Sequence, residues 1–232
     1  LVHSRGAGPM PLAEPGKPVA FTDSLGREPA IFRTDQKPPV LDTQTESDTG
    51  LLNSLAARQP DSDSFRLWEM AGTAHADARL LGATVAEFDC GLPVNNGPMH
   101  LIVKGALHAL DEWLRTGTPP RSAPRFEITS GANPEIKRDA EGFVLGGIRT
   151  PLVDVPVDVL SGVVGPDAST ICILSGSTKP LTAAQLAQRY PSRAKYVEMY
   201  EADADRAIKA GHVAAGDRKA LLDYAQPDRI AG

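Results

Sequence analysis

Two polar turns carry the residue types needed for proton transfer: Thr45-Glu46-Ser47-Asp48 and Ala71-Gly72-Thr73-Ala74-His75-Ala76-Asp77. A carboxylate that accepts from one imidazole nitrogen fixes the ring's tautomer and steadies its protonated form. The second nitrogen is then left to take a proton from a nucleophile. Asp48 precedes His75, the order found in hydrolases whose nucleophile comes first in the chain. Glu46 is the competing acid, because a strand ending two residues earlier would aim it at His75 instead. Alone, a turn aspartate is ordinarily a local cap and a single histidine a structural residue. Two of them closing successive strands shift the balance toward catalysis.

The other candidates are thinner. His75-Ala76-Asp77 has no accompanying His, Cys or Asp at ligand spacing, so no metal is expected. Gly146-Gly147 fits neither a phosphate loop nor a dinucleotide fingerprint, so no cofactor is expected, and the pair reads as a tight turn. Arg149 can bind a substrate carboxylate, although a structural ion pair is the commoner role. His100 and His108 fall on or beside the apolar stripe of a helix and read as packing or surface residues. A nucleophile elbow of the form G-x-S-x-G is absent. The nearest approach, Thr22-Asp23-Ser24-Leu25-Gly26, lies between proline-rich stretches with no strand before it and no helix after it.

Strands and helices must bring the two turns together. Leu1 to Arg5 reads as the end of a strand. Val40 to Thr45 is β-branched and partly alternating, and Phe65 to Met70 alternates apolar with polar, so both predict strands. A short helix is expected over Leu51 to Arg58, closed by Pro60. From Pro98 the period turns helical, with Val103, Ala106, Leu107, Leu110, Trp113 and Leu114 on one stripe, ending at Gly117 and Pro119-Pro120. Strand, turn, short helix, strand and long helix make the rhythm of an α/β sheet. Beyond it, Arg125 to Ile128, Phe143 to Leu145 and Ile171 to Leu174 read as short extended pieces. Helices follow: one opened by a Thr182/Gln185 capping box, one from Ser192 to Gly211 with Val197, Tyr200, Ala204 and Ile208 on its stripe, and a last short one after Asp217.

The 232 residues leave room for one domain, or two at most. Apolar residues at 41% and charged residues at 23% are ordinary globular values, which excludes wholesale disorder, collagen and coiled coil. A net charge of −5 without a basic run argues against nucleic acid as partner. The longest clean apolar run, Ile171 to Leu174, is far too short for a membrane span. The opening at Leu1 without Met or a targeting pattern reads as a piece cut from a longer chain, which leaves the compartment open. Cys90 and Cys172 form no recognisable framework.

The sequence resembles a bacterial branch of the α/β-hydrolase superfamily over essentially its whole length. The likeness is carried by Leu1-Val2-His3-Ser4-Arg5-Gly6, Thr45 to Asp48, Ala57 to Asp63 with Phe65 to Glu69, and Ala71 to Asp77. Asn95-Asn96-Gly97-Pro98, Leu110 to Pro120, Gly146 to Pro156 and Ser175-Gly176-Ser177-Thr178 before Pro180 extend it. The resemblance implies a Ser-Asp-His hydrolase of carboxylic esters or similar acyl bonds, with Asp48 as orienting acid and His75 as general base. The serine elbow and the oxyanion donors would lie upstream of Leu1, in the N-terminal half of the same polypeptide. For Cys90 two readings stay open: burial, or pairing with a cysteine of that half.

The expected fold is therefore α/β: the last strands and helices of an α/β-hydrolase sheet with a helical C-terminal extension. It is one domain over 1–232, with the sheet end and the acid and His turns in 1–117 and a family-specific extension in 118–232. A small ester-type substrate is the expected partner. The competing class is a non-catalytic binding or scaffold module that kept the fold, and a weaker third option is dehalogenase or lyase chemistry on the same fold.

Overall fold

The structure is a computed structural model and describes residues 1–231. Strands β1 (Val2–His3), β2 (Val40–Thr45) and β3 (Phe65–Met70) lie parallel in the order β1-β2-β3. β2 and β3 pair in one register from Val40 opposite Phe65 to Thr45 opposite Met70, so Asp48 and His75 follow neighbouring strands. Parallel neighbours need a crossover connection. Here the crossover from β2 to β3 holds only two 3-10 turns, Ser47–Thr49 and Ser54–Ala57. The helix expected over Leu51 to Arg58 is cut to the second of these because Asn53 adopts a left-handed backbone (φ 51°), which no α-helix passes through.

Leu41, Trp68 and Met70 cover one face of the sheet and pack on α2 (Met99–Thr116), after the short α1 (Ala78–Leu81). The buried side of α2 is Leu101, Ile102, Gly105, Ala106, Leu110 and Trp113, while Leu107 and Leu114 of the expected stripe are exposed. Gly105 accounts for the rotation. A Cβ there would stand 2.3 Å from the carbonyl oxygen of His212, so this glycine lets a distant backbone lie against the helix and turns that side inward.

The opposite face buries polar groups beside Phe65 and Leu67. Arg5 donates to Asp42 at 3.0 Å, Gln44 donates to the same carboxylate at 2.8 Å, and Arg58 makes two 2.6 Å bonds to Glu69. Such pairs fix geometry rather than add net stability, since removing either partner strands a buried charge. Burial pushes the Asp42 carboxyl up, with Arg5 opposing.

After α2 the chain makes isolated antiparallel bridges, Phe126 with Gly146, Ile128 with Ile136 and Arg138 with Val144, in place of full strands. Ile148 then joins β3 on its open side, donating to the Glu69 carbonyl at 2.7 Å. Next come α3 (Pro151–Asp154) and the antiparallel pair β4 (Asp158–Ser161) and β5 (Ser177–Pro180). The strand expected over Ile171 to Leu174 is instead a 3-10 turn at Thr170–Cys172. Cys172 turns inward to a disulfide with Cys90, and Ile171 and Ile173 are left outside. Of the two readings open for Cys90, burial holds, and its disulfide partner lies within these residues.

The remaining helices are α4 (Ala183–Arg189), with the Thr182/Gln185 capping box formed, α5 (Arg193–Lys209), capped by Ser192, and α6 (Arg218–Leu222). On α5 the buried residues are Tyr196, Tyr200, Ala204 and Ala207. Ala204 and Ala207 share one apolar core with Met70, α2 and Leu221 of α6, so the chain beyond α2 closes over the sheet.

Candidate active site

The acid turn starts where β2 stops. Asp48 is fully buried, and one of its oxygens accepts the N–H of Thr45 at 2.6 Å, bending the chain back on the strand end. Its other oxygen lies 2.9 Å from Nδ1 of His75.

His75 reaches this position because its backbone is tied on both sides. Gly72, directly after β3, has φ 70°, a turn that a side chain would oppose both by strain and by a contact of 2.6 Å with Val153. The carbonyl of Thr73 accepts from the N–H of Glu46 at 3.2 Å, and the N–H of His75 donates to Oγ of Ser47 at 2.8 Å. The carbonyl of Leu174 accepts from the N–H of Ala76 at 3.1 Å and from the Ser47 hydroxyl at 3.3 Å. A carboxylate only accepts, so the hydrogen bond assigns the ring proton to Nδ1 and the lone pair to Nε2. Nε2 has no hydrogen bond among the described residues, and the side chain is 33% exposed. The pair is a carboxylate-oriented imidazole whose Nε2 is open.

Glu46, the alternative acid, is not at His75. Its carboxylate accepts the N–H of Gly72 at 2.5 Å, the N–H of Gly162 at 3.0 Å and the guanidinium of Arg138 at 2.6 Å. The reason is register: β2 runs to Thr45, so Glu46 turns under the sheet end and Asp48 is the residue that comes round to the ring. Arg149 is likewise occupied, donating to Asp154 at 2.5 Å and to the Val144 carbonyl at 2.6 Å. Ser24 is buried at the end of a 3-10 turn, Phe21–Ser24. Asp77 caps α1 through the N–H of Leu80 at 2.8 Å. Burial raises its carboxyl, with the amides of Leu80 and Arg79 opposing.

Two nearby residues escaped the sequence reading. Ser47, between the two acids, holds the His75 backbone, and nothing in its type or spacing announces that. His3, at the end of β1, sits with Nδ1 2.9 Å from Oγ1 of Thr43 and lies within electrostatic reach of the pair. Partial burial pushes it down, Asp48 pulls it up and His75 pushes it down again.

The family model for an alpha/beta hydrolase domain matches residues 1–223. The chain belongs to that family. No curated protein and no solved structure matches it. The matched span takes in both strand-end turns of this hydrolase domain and nearly all of the chain that closes over them. Among the described residues, no helix is long and apolar enough to cross a membrane.

Proposed function

We propose that this domain contributes the acid and the histidine of a hydrolase acting on carboxylic esters or similar acyl bonds. Asp48 orients His75, and a serine in a segment preceding Leu1 is the nucleophile. The observation that supports this reading is the 2.9 Å contact between Asp48 and Nδ1 with Nε2 left open. In the first step Nε2 takes the serine proton as Oγ attacks the acyl carbon. Asp48 stabilises the imidazolium, which then protonates the leaving alkoxide. Water, deprotonated by the same nitrogen, releases the acid. Oxyanion donors come from the residue after the nucleophile and from an early loop, both in the preceding segment. Residues 1–117 then supply the acid and His turns, and 118–232 form an extension that braces them.

The 232-residue chain alone is expected to leave p-nitrophenyl butyrate intact. The same chain extended through its preceding segment is expected to hydrolyse it, with His75→Ala costing about 10⁴ to 10⁶ in kcat. Hydrolysis by the 232 residues alone, abolished by His75→Ala, would place the nucleophile inside them, with Ser24 the first to replace. The competing reading, a binding or scaffold module, draws on the unbonded Nε2. It predicts no His75-dependent turnover even in the extended chain.

A further inference from the structure

Beside the acid turn lies a cleft of about 580 Å³, inside the range of small-molecule sites. One wall is the turn itself at Ser47, whose hydroxyl holds the His75 backbone. The opposite walls come from the chain beyond α2: Ile136, Val163, Val164 and Ile173. Val163 is 59% exposed and Ile173 46%, large apolar side chains left at the mouth of a concave site.

The charged lining residues decide which ligand fits. The Glu46 carboxylate already takes three donors, Arg138 among them, and Arg138 also donates to the Gly142 carbonyl at 3.0 Å. An anionic ligand would find no unpaired cation among the lining residues and would be repelled by the exposed carboxylate of Glu135. An uncharged apolar group fits the aliphatic walls and needs no counter-charge.

We propose that this cleft binds a neutral alkyl or aryl group of four or more carbons, the apolar portion of the ester. Its service to hydrolysis rests on the reading given above, whereas the binding itself does not. The binding arm uses 2-octanone, a neutral ketone that cannot be hydrolysed, added to the 232-residue chain and followed by methyl NMR. Saturable shifts are expected at Ile136, Val163, Val164 and Ile173. Val163→Trp and Ile173→Trp, both at exposed positions that tolerate a larger ring, are each expected to weaken binding at least tenfold. Leu107→Trp, on the exposed side of α2, should change it less than twofold.

The turnover arm uses the extended chain and p-nitrophenyl esters from acetate to octanoate. A preference for hexanoate over acetate of about tenfold or more in kcat/KM is expected, and Val163→Trp should remove it. The proposal is overturned if the ketone leaves those methyls unmoved, if both tryptophan variants bind it as the parent does, or if the chain-length profile ignores them. Ketone binding lost in the variants, without His75-dependent turnover of any ester, would keep the apolar site and sink the hydrolase reading instead.

Discussion

Replacing Asp48 by asparagine tests the geometry at its centre. Both partners of the carboxylate are donors, the Thr45 N–H at 2.6 Å and His75 Nδ1 at 2.9 Å. Asparagine offers one acceptor and one donor, so a fully buried side-chain amide at this position must disappoint one of them. Setting its NH₂ against the Thr45 N–H would leave that backbone donor unsatisfied, at about 1–3 kcal/mol. The imidazole has a cheaper escape, because it moves its proton to Nε2 and accepts at Nδ1. The expected result of Asp48→Asn is therefore an inverted tautomer in an intact fold, read on the 232-residue chain by long-range ¹H–¹⁵N correlation of the His75 ring. In the extended chain the base has then lost its free lone pair. Comparable substitutions in serine hydrolases cost about 10⁴ in kcat, or about 5 kcal/mol of barrier. A ring that keeps its proton on Nδ1, or a loss of less than tenfold on p-nitrophenyl butyrate, would refute the reasoning.

Two further predictions concern stability. The Cys90–Cys172 bond closes a loop of sequence separation 82, for which the chain-entropy relation gives about 4.5 kcal/mol, so the double Cys→Ser variant should melt about 10 °C lower in calorimetry. An unchanged midpoint would mean that the bond adds nothing to the native state. His212, edge-on to Trp68 with ring centres 5.3 Å apart, is pushed down from 6.5 to about 4 by burial first and by Arg206 second. Between those values the unfolded chain takes up a proton that the folded chain refuses, so stability falls as pH drops from 6.5 toward 4. The loss is about 2 kcal/mol once partial exposure of the ring is allowed for, read by urea unfolding at about pH 4.5 and about pH 7. His212→Phe should flatten that contribution, and an identical pH slope in the variant would exclude His212 as its source.

What the sequence made legible followed from local chemistry. β2 and β3 were visible because β-branched and alternating residues stop at polar turns, and the caps Thr182 and Ser192 act within their own first turn. The meeting of Asp48 with His75 could be expected from order and strand ends alone, since parallel neighbours place successive turns at one rim. The rest depended on partners far along the chain. The faces of α2 and α5 were misplaced by a residue or so because the His212 backbone and the facing aromatic rings select the buried side, and periodicity cannot register either. Ile171 to Leu174 looks like a strand until Cys172 is known to turn toward Cys90. Glu46 and Asp48 are chemically interchangeable at the level of type and spacing. They separate through where β2 stops and through the donors that take up Glu46, of which Arg138 and Gly162 lie 92 and 116 residues away.

That last distance has a consequence for synthesis. The donors that hold Glu46, and through the Gly72 N–H the start of the His75 loop, leave the ribosome long after the acid turn has emerged. A nascent chain still short of Gly162 owns both the carboxylate and the imidazole yet lacks two of the three donors that hold Glu46 beneath them. Whatever order the strands assemble in, the completed bonding of Glu46 is a late event in the life of each translated molecule.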